Sequence, residues 1–226
     1  MAEFDAVLFD LDGTLCRRTQ DTQAMYERAF ELVGETPFGE PAALWSALEG
    51  PPDHDDRIGY FGAGFARVAA QHGRTDVDPI ALGRSLASVI ENRAVTLLPG
   101  TEAALESAAT CGPMAVVTNG PKDGQRTKLD TLGITDRFDS FVYGAELPRA
   151  KPHSLPFDRA LEELGVPAER ALYIGNSLPY DVAGAQNAGL SAVWLRENSG
   201  DSAGSYEPEY VVDSIEELPS ILRGER

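Results

Sequence analysis

The sequence predicts an α/β protein with a doubly wound, mostly parallel sheet and an inserted helical subdomain. Short apolar runs of buried-strand length alternate with segments of helical period, which is the pattern of such a sheet. Asp10, Thr118 and Asn176 each lie at the carboxyl end of a different one of these runs. One long segment, residues 16–96, has helical periods and no clear strand. Together these observations predict the fold class.

The first strand is predicted at residues 6–9, and it ends at a pair of aspartates. This apolar run is too short for a buried helix, and Asp10, Asp12 and Gly13 follow it. Residues i and i+2 of a strand share a face, so both carboxylates are expected to point the same way. Gly13 lets the chain turn without steric cost. Two carboxylates held close together form either a binding site for a hard cation or a pair in which one pKa lies above the other. The alternative is that both lie in a solvated loop after the strand.

Residues 16–96 are predicted to form a helical subdomain. Helices are expected at 21–33, 42–48, 56–72 and 79–93, with a loop at 50–53. The insertion begins within a few residues of the acidic pair, as a cap over an active site would, whereas an ordinary insertion would only pack. We therefore expect an α/β core of residues 1–15 and 97–226 and a helical cap of residues 16–96.

The rest of the core is predicted to alternate strands with helices. Strands are expected at 114–117, 141–143, 171–174, 192–195 and 210–212, and helices at 101–109, 122–132, 154–164, 179–188 and 215–222. Thr101 is the expected N-cap of its helix, and residues 199–206 are expected to form a loop. Ligands of a doubly wound sheet bind beyond the carboxyl ends of its strands, so Asp10, Thr118 and Asn176 are expected to meet there.

Composition narrows the possible partners and location. A net charge of −17 argues against nucleic acid and anionic membranes as partners. No apolar stretch approaches the roughly 18 residues of a membrane span, and the start does not resemble a signal peptide. The two cysteines, Cys16 and Cys111, lack metal-ligand spacing, and a reduced cytoplasmic chain is expected. We also expect a monomer or a homodimer.

The charge also has an unusual composition. The only lysines among the 19 basic residues are Lys122, Lys128 and Lys151. An acidic chain with so few lysines resembles proteins from salt-loving organisms, and the alternative is a merely acidic cytosolic protein. At high salt the Debye length falls to about 3 Å, so self-repulsion at the surface largely disappears. We therefore expect a halophilic protein.

Four segments, in order along the chain, resemble the four motifs of the haloacid dehalogenase-like (HAD) superfamily. They are Asp10-Leu11-Asp12-Gly13-Thr14-Leu15, Val117-Thr118-Asn119-Gly120, Lys151-Pro152 and the run Gly175 to Ala185. Together they cover the chain outside the helical segment. The resemblance implies a hydrolase of the phosphatase type, with a helical cap inserted after the first motif.

The resemblance also implies roles for the core residues. Asp10 would attack phosphorus and form an aspartyl-phosphate, and Asp12 would protonate the leaving oxygen and then deprotonate the attacking water. Thr118, the Asn119 amide and Lys151 would hold the phosphoryl oxygens. The substrate would be a small phosphorylated metabolite.

The implied cofactor is Mg²⁺, held by Asp10, Asp12, Asn176 and Asp181. Position 176 is Asn where the family usually has a metal-binding Asp; its amide oxygen still suits a hard cation, but one negative charge is missing. Metal-independent 2-haloacid dehalogenases also have an Asn near this motif, but they lack the second aspartate. Expelling an alkoxide requires a proton, so Asp12 favours the phosphatase. A non-catalytic binding module on a decayed hydrolase fold is the remaining alternative.

Overall fold

The computed structural model describes residues 4–48 and 56–225, so the loop predicted at 50–53 lies outside the described residues. The chain divides into two compact units. One comprises Met1–Arg18 and Val95–Arg226, and the other is Thr19–Ala94. The description of Thr19–Ala94 as a cap stays a prediction.

The strands belong to the larger unit. They are β1 (Ala6–Phe9), β2 (Cys16–Arg18), β3 (Val95–Leu97), β4 (Met114–Thr118), β5 (Ser140–Tyr143), β6 (Ala171–Gly175), β7 (Ser191–Leu195) and β8 (Tyr210–Val212). Six of them form one sheet in the order β5-β4-β1-β6-β7-β8, with every pair parallel. The chain therefore winds outward from β1 in both directions, which confirms the predicted fold class.

The helices fall in both units. They are α1 (Thr22–Val33), α2 (Pro41–Ala47), α3 (Arg57–Gln71), α4 (Pro79–Val89), α5 (Thr101–Ala109), α6 (Lys122–Leu132), α7 (Leu155–Leu164), α8 (Ala183–Asn187) and α9 (Leu218–Leu222). No helix in the described parts of the chain combines the length and apolarity that a bilayer span requires. The predicted loop at 199–206 contains no helix or strand.

β1 is buried on both faces because it lies at the centre of the sheet. Val7 and Phe9 belong to one apolar cluster, and Ala6 and Leu8 belong to another. Neighbouring side chains of a strand point to opposite faces, so a strand covered on both faces must be apolar throughout. This explains the uninterrupted apolar run that ends at Asp10.

The prediction that residues 16–96 contain no strand is wrong at both ends of that segment. β2 and β3 pair antiparallel, with Cys16 opposite Leu97 and Arg18 opposite Val95. Each strand has three residues, which is too short for a recognisable period. The pairing joins positions nearly 80 residues apart in sequence, so no local pattern indicates it.

Three helix boundaries also differ from the predictions. α4 ends at Val89 rather than at residue 93, because Ile90 is already extended. Thr101 is not an N-cap: Gly100 takes that position with φ +84°, and the Thr101 hydroxyl donates to the Leu15 carbonyl oxygen at 3.0 Å. The helix predicted at 179–188 begins as a wider π-helical turn, Leu178–Val182.

The smaller unit has its own apolar core. Tyr26, Phe30 and Phe65 are fully buried there in mutual ring contact. Gly62 of α3 allows close packing against α4: a Cβ on Gly83 of α4 would lie 2.6 Å from the Gly62 backbone nitrogen. The two helices approach so closely that only glycine fits at this crossing.

The dependence of the melting temperature on salt tests the prediction of a halophilic protein. With a net charge of −17, we expect the melting temperature to rise between low and molar KCl, because screening relieves surface repulsion. Differential scanning fluorimetry in a KCl series measures this, and betaine at matched osmolality controls for uncharged solute effects. A melting temperature that stays flat or falls in KCl would contradict the halophilic prediction and favour the alternative, an acidic cytosolic protein.

Candidate active site

The candidate site lies at the carboxyl ends of β1, β4 and β6, which are neighbours in the sheet. Asp10 directly follows β1, Thr118 ends β4, and Asn176 directly follows β6. Lys151 comes from the segment before α7, and its ammonium group reaches back to the site. The topology thus gathers residues that are far apart in sequence.

A buried ammonium group is the centre of the site. Lys151 Nζ, on a residue only 3% exposed, lies 2.8 Å from Asp10 Oδ1 and 2.7 Å from Asp181 Oδ1. It also lies 2.8 Å from the Tyr173 hydroxyl oxygen and 2.9 Å from the Val117 carbonyl oxygen. The Tyr173 hydroxyl has its own acceptors in the Val117 carbonyl and Asp181, each at 3.0 Å. The ammonium and phenol hydrogens therefore all have acceptors, which fixes the ammonium in place.

The charges in this cluster do not balance, and the pKa values show it. Burial raises the pKa of Asp10 to about 7, and the Asp181 charge adds to this rise, while the Lys151 ammonium opposes it. Burial alone would lower the pKa of Lys151, but the two carboxylates raise it above its usual value. One cation thus serves two buried acids: Lys151 remains charged, and the pKa of Asp10 stays well above its usual value.

Asp12 has a different environment from Asp10. Lys128 Nζ lies 2.6 Å from each of its carboxylate oxygens, and Gln125 Nε2 donates to Oδ2 at 3.0 Å. Its side chain is 46% exposed, whereas that of Lys128 is 4% exposed. Surrounding protein would raise the pKa of Asp12, but the Lys128 ammonium outweighs this and holds it below its usual range. The pKa values of Asp10 and Asp12 thus shift in opposite directions, and burial and separate lysines cause this more than the mutual repulsion on which the sequence argument relied.

Thr118 presents a buried hydroxyl at the end of β4. Its Oγ1 accepts from Gln125 Nε2 at 2.6 Å and from the Gly120 backbone N–H at 3.1 Å. The hydroxyl hydrogen can still be donated, which suits the binding of an anionic oxygen. A Cβ on Gly120 would lie 2.4 Å from Gln125 Cδ, so glycine is required for this approach.

The side chain of Asn119 holds the backbone of Lys151. Asn119 Nδ2 donates to the Lys151 carbonyl at 2.9 Å, and the Lys151 N–H donates to Asn119 Oδ1 at 2.8 Å. This reciprocal pair fixes the loop from which the lysine side chain extends. The side-chain amide of Asn119 is therefore structural, and its backbone amide is the group predicted to face an anion.

Asn176 lies against the turn after β1. A Cβ on Gly13, where φ is +81°, would lie 2.6 Å from Asn176 Nδ2. Asn176 Oδ1 is 3.4 Å from the Thr14 hydroxyl, and Nδ2 donates to Glu197 Oε1 at 3.3 Å. Because Glu197 takes the amide hydrogen, the amide oxygen is directed to the side of Thr14.

Asp181 is engaged by three donors. Oδ1 accepts from Lys151 and Tyr173, and Oδ2 accepts from the Ser177 backbone N–H at 2.9 Å. A Cβ on Gly175 would lie 2.3 Å from Asp181 Cγ, so the approach of Asp181 to β6 requires a glycine. In this arrangement Asp181 orients Lys151, and the metal-binding role that the family resemblance implies for it stays a prediction.

The site also contains residues that the sequence analysis did not single out as functional: Gln125, Lys128, Tyr173 and Glu197. Lys128 had a signal in the sequence, because lysine is rare in this chain. Two of its three lysines, Lys128 and Lys151, are buried in this site. Tyr173 is a phenol in an otherwise aliphatic buried strand. Nothing in the sequence around Gln125 or Glu197 marks either residue.

Comparison with known proteins identifies the family. Residues 4–189 match the family described as haloacid dehalogenase-like hydrolase. The chain belongs to this family. The HAD prediction is therefore confirmed, and with it the prediction of an enzyme rather than a non-catalytic module.

Relatives of the full chain have related activities in their names. The chain is 29% identical over 228 residues to a pyrimidine 5'-nucleotidase of Escherichia coli, covering 97% of this chain and 98% of that protein. It is 31% identical over 230 residues to a phosphoglycolate phosphatase of Cereibacter sphaeroides, covering 96% and 97%. The structure of a HAD phosphatase from Thermococcus onnurineus matches with a TM-score of 0.70 and 28% identity, covering 99% and 100%. These relatives bear phosphomonoesterase names, as the predicted enzyme class requires.

Proposed function

We propose that this HAD enzyme is a phosphatase that hydrolyses a small phosphorylated metabolite through an aspartyl-phosphate on Asp10. One observation carries the proposal: Asp10 is buried and bound to Lys151 at 2.8 Å, while Asp12, two residues on, keeps a half-exposed carboxylate. One acid can thus act as nucleophile and the other can exchange protons with a leaving group. The relatives' names support the reaction class and leave the substrate open.

The reaction has two steps. Asp10 attacks phosphorus, the bond to the leaving oxygen breaks, and Asp12 gives a proton to that oxygen. Lys128 holds the pKa of Asp12 below its usual range in the free site, so Asp12 must take up this proton when the negatively charged phosphate binds beside it. Asp12 then takes a proton from water, which attacks the aspartyl-phosphate and releases inorganic phosphate. The Thr118 hydroxyl, the Asn119 backbone N–H and the Lys151 ammonium hold the phosphoryl oxygens while charge moves.

Oxygen donors at the site fit a hard divalent cation. The Asp10 carboxylate, the Asp12 backbone carbonyl and the Asn176 amide oxygen would hold Mg²⁺, and Glu197 already directs that amide oxygen by accepting from Nδ2. No cluster of three His, Cys, Asp or Glu side chains suited to a metal occurs in residues 4–48 and 56–225, so amide and carbonyl donors are needed. When bound, Mg²⁺ would reduce the repulsion between carboxylate and phosphate.

A substrate panel tests the proposed function. Phosphoglycolate, pyrimidine nucleoside 5'-monophosphates, sugar phosphates and 2-chloropropionate are assayed with Mg²⁺ and with chelator. We expect release of inorganic phosphate from at least one ester, dependent on Mg²⁺, and no release of chloride. Chloride release in chelator would establish the dehalogenase, the alternative that Asn176 favours. Full phosphatase activity in chelator would overturn the metal-dependent assignment.

Restoring the family carboxylate at position 176 should strengthen Mg²⁺ binding. In Asn176→Asp, a negative charge replaces a neutral donor, so half-maximal activity should need about tenfold less Mg²⁺. Turnover should fall, because a more negative site repels the phosphate and faces Glu197. Mg²⁺ titrations of chelator-treated parent and variant, by activity and by calorimetry, measure both effects. Asn176→Ser is the matched control, and an unchanged Mg²⁺ requirement in Asn176→Asp would remove residue 176 from the metal site.

A further inference from the structure

We propose that Lys128 and Gln125, one turn apart on α6, are positioning residues that hold Asp12 in the orientation from which it protonates the leaving oxygen. The inference rests on the proposed phosphatase function and adds two residues to it. Neither residue belongs to the motifs that identified the site. Both donate to Asp12, and neither is proposed to contact phosphorus.

The contact between Lys128 and Asp12 is asymmetric in burial. The Lys128 side chain is 4% exposed, and its ammonium lies 2.6 Å from both oxygens of a carboxylate that is 46% exposed. An ion pair of two exposed side chains is weak because both chains lose mobility when they meet. Lys128 is already fixed by burial, so only Asp12 loses freedom. The lysine therefore anchors an acid that could otherwise rotate into solvent.

Gln125 joins this pair to the phosphoryl-binding side. Its Nε2 lies 3.0 Å from Asp12 Oδ2 and 2.6 Å from Thr118 Oγ1, and the residue is 1% exposed. One amide nitrogen thus donates to the predicted proton donor and to the hydroxyl predicted to bind phosphate. Residues i and i+3 of a helix lie on one face, so α6 presents Gln125 and Lys128 to Asp12 together.

The expected consequence depends on the leaving group. If Asp12 is misplaced, phosphoryl transfer can still proceed when the leaving group is stable as an anion. Transfer is strongly slowed when the leaving group must be protonated to depart. An alkyl phosphate expels a strongly basic alkoxide, whereas 2,4-dinitrophenyl phosphate expels a weakly basic phenolate. A general structural defect would slow both substrates equally, so their ratio isolates the role of Asp12.

The test compares kcat/KM for an alkyl phosphate from the panel and for 2,4-dinitrophenyl phosphate, because kcat/KM reports the steps up to phosphoryl transfer. For Lys128→Met we expect a loss of about 100-fold with the alkyl ester and less than about tenfold with the dinitrophenyl ester. Lys128→Arg should recover much of the alkyl activity, because it restores a cation. Lys122→Met is the matched control on the same helix, since its side chain is 58% exposed; both rates should stay at the parental level.

Gln125→Leu is a second variant that keeps the cation and removes only the amide, and it decides the question where Lys128→Met fails to fold. Both esters should lose some activity, because Thr118 Oγ1 also loses a donor, and the alkyl ester should lose more than the dinitrophenyl ester. Equal losses for both esters in folded variants would overturn the positioning role while the phosphatase function stands. A parent that releases phosphate from neither ester would overturn the proposed function, and this inference with it.

Discussion

Asp10→Asn should abolish phosphate release and leave the fold intact. The amide has nearly the shape of the carboxylate, but it is a poor nucleophile, so turnover should fall by at least about 10³-fold. Inorganic phosphate release and mass spectrometry of the trapped phosphoenzyme measure the loss, and circular dichroism checks the fold. Activity within tenfold of the parent would remove Asp10 as the nucleophile.

The same variant should be more stable than the parent at alkaline pH in chelator. Burial raises the pKa of Asp10 from 3.8 to about 7, so the folded state binds this proton more tightly than the unfolded state. The corresponding stability is present below about pH 4 and is lost as pH rises through about 7. Asn carries no such titration, so the variant should gain on the order of 4 kcal/mol at about pH 8, falling towards zero near pH 4.

Denaturant unfolding of parent and variant across this pH range measures the difference. Asp123→Asn removes an equal charge from an exposed position on α6 and serves as the control. A pH-independent difference between parent and Asp10→Asn would show that Asp10 has no raised pKa in the folded protein. The nucleophile assignment would stand, because it depends on the activity assay.

The gathering of Asp10, Thr118 and Asn176 could be predicted because strand order alone places them. Each lies where a buried apolar run ends, and parallel strands put such ends at one edge. The helical partners could not be predicted in this way. Gln125 and Lys128 act on Asp12 across 113 and 116 residues, through the packing of α6, which no local period encodes.

Local chemistry decided some boundaries and tertiary contacts decided others. The predicted helix at 122–132 begins and ends where expected, because a proline precedes it and Gly133 closes it at φ +69°. Thr101 failed as an N-cap because its hydroxyl bonds a carbonyl 86 residues away. The cytoplasmic location, the monomer or homodimer and the halophilic character stay predictions.

Lys151→Met should cause the largest combined loss of stability and activity. It leaves Asp10 and Asp181 buried without their shared cation, and removing one partner of a buried ion pair costs roughly 3–5 kcal/mol. The phosphoryl oxygens also lose a donor, so turnover should fall by about 10²–10³-fold even where the variant folds. Lys151→Arg should not rescue it, because the forked guanidinium does not fit among the Tyr173 hydroxyl, the Val117 carbonyl and the two acids.

The pH dependence separates this electrostatic cause from a packing defect. Without the Lys151 ammonium, which lowers the pKa of Asp10, that pKa should rise further. The buried carboxyl group then needs a proton, so the variant should regain stability as pH falls towards about 5. A cavity or a clash would destabilise it equally at every pH. Denaturant unfolding at about pH 5 and pH 8 decides between them, with Lys122→Met as the exposed-lysine control. If the penalty is the same at both pH values, the two carboxylates are not what Lys151 holds in place, and the arrangement proposed for the nucleophile must be revised.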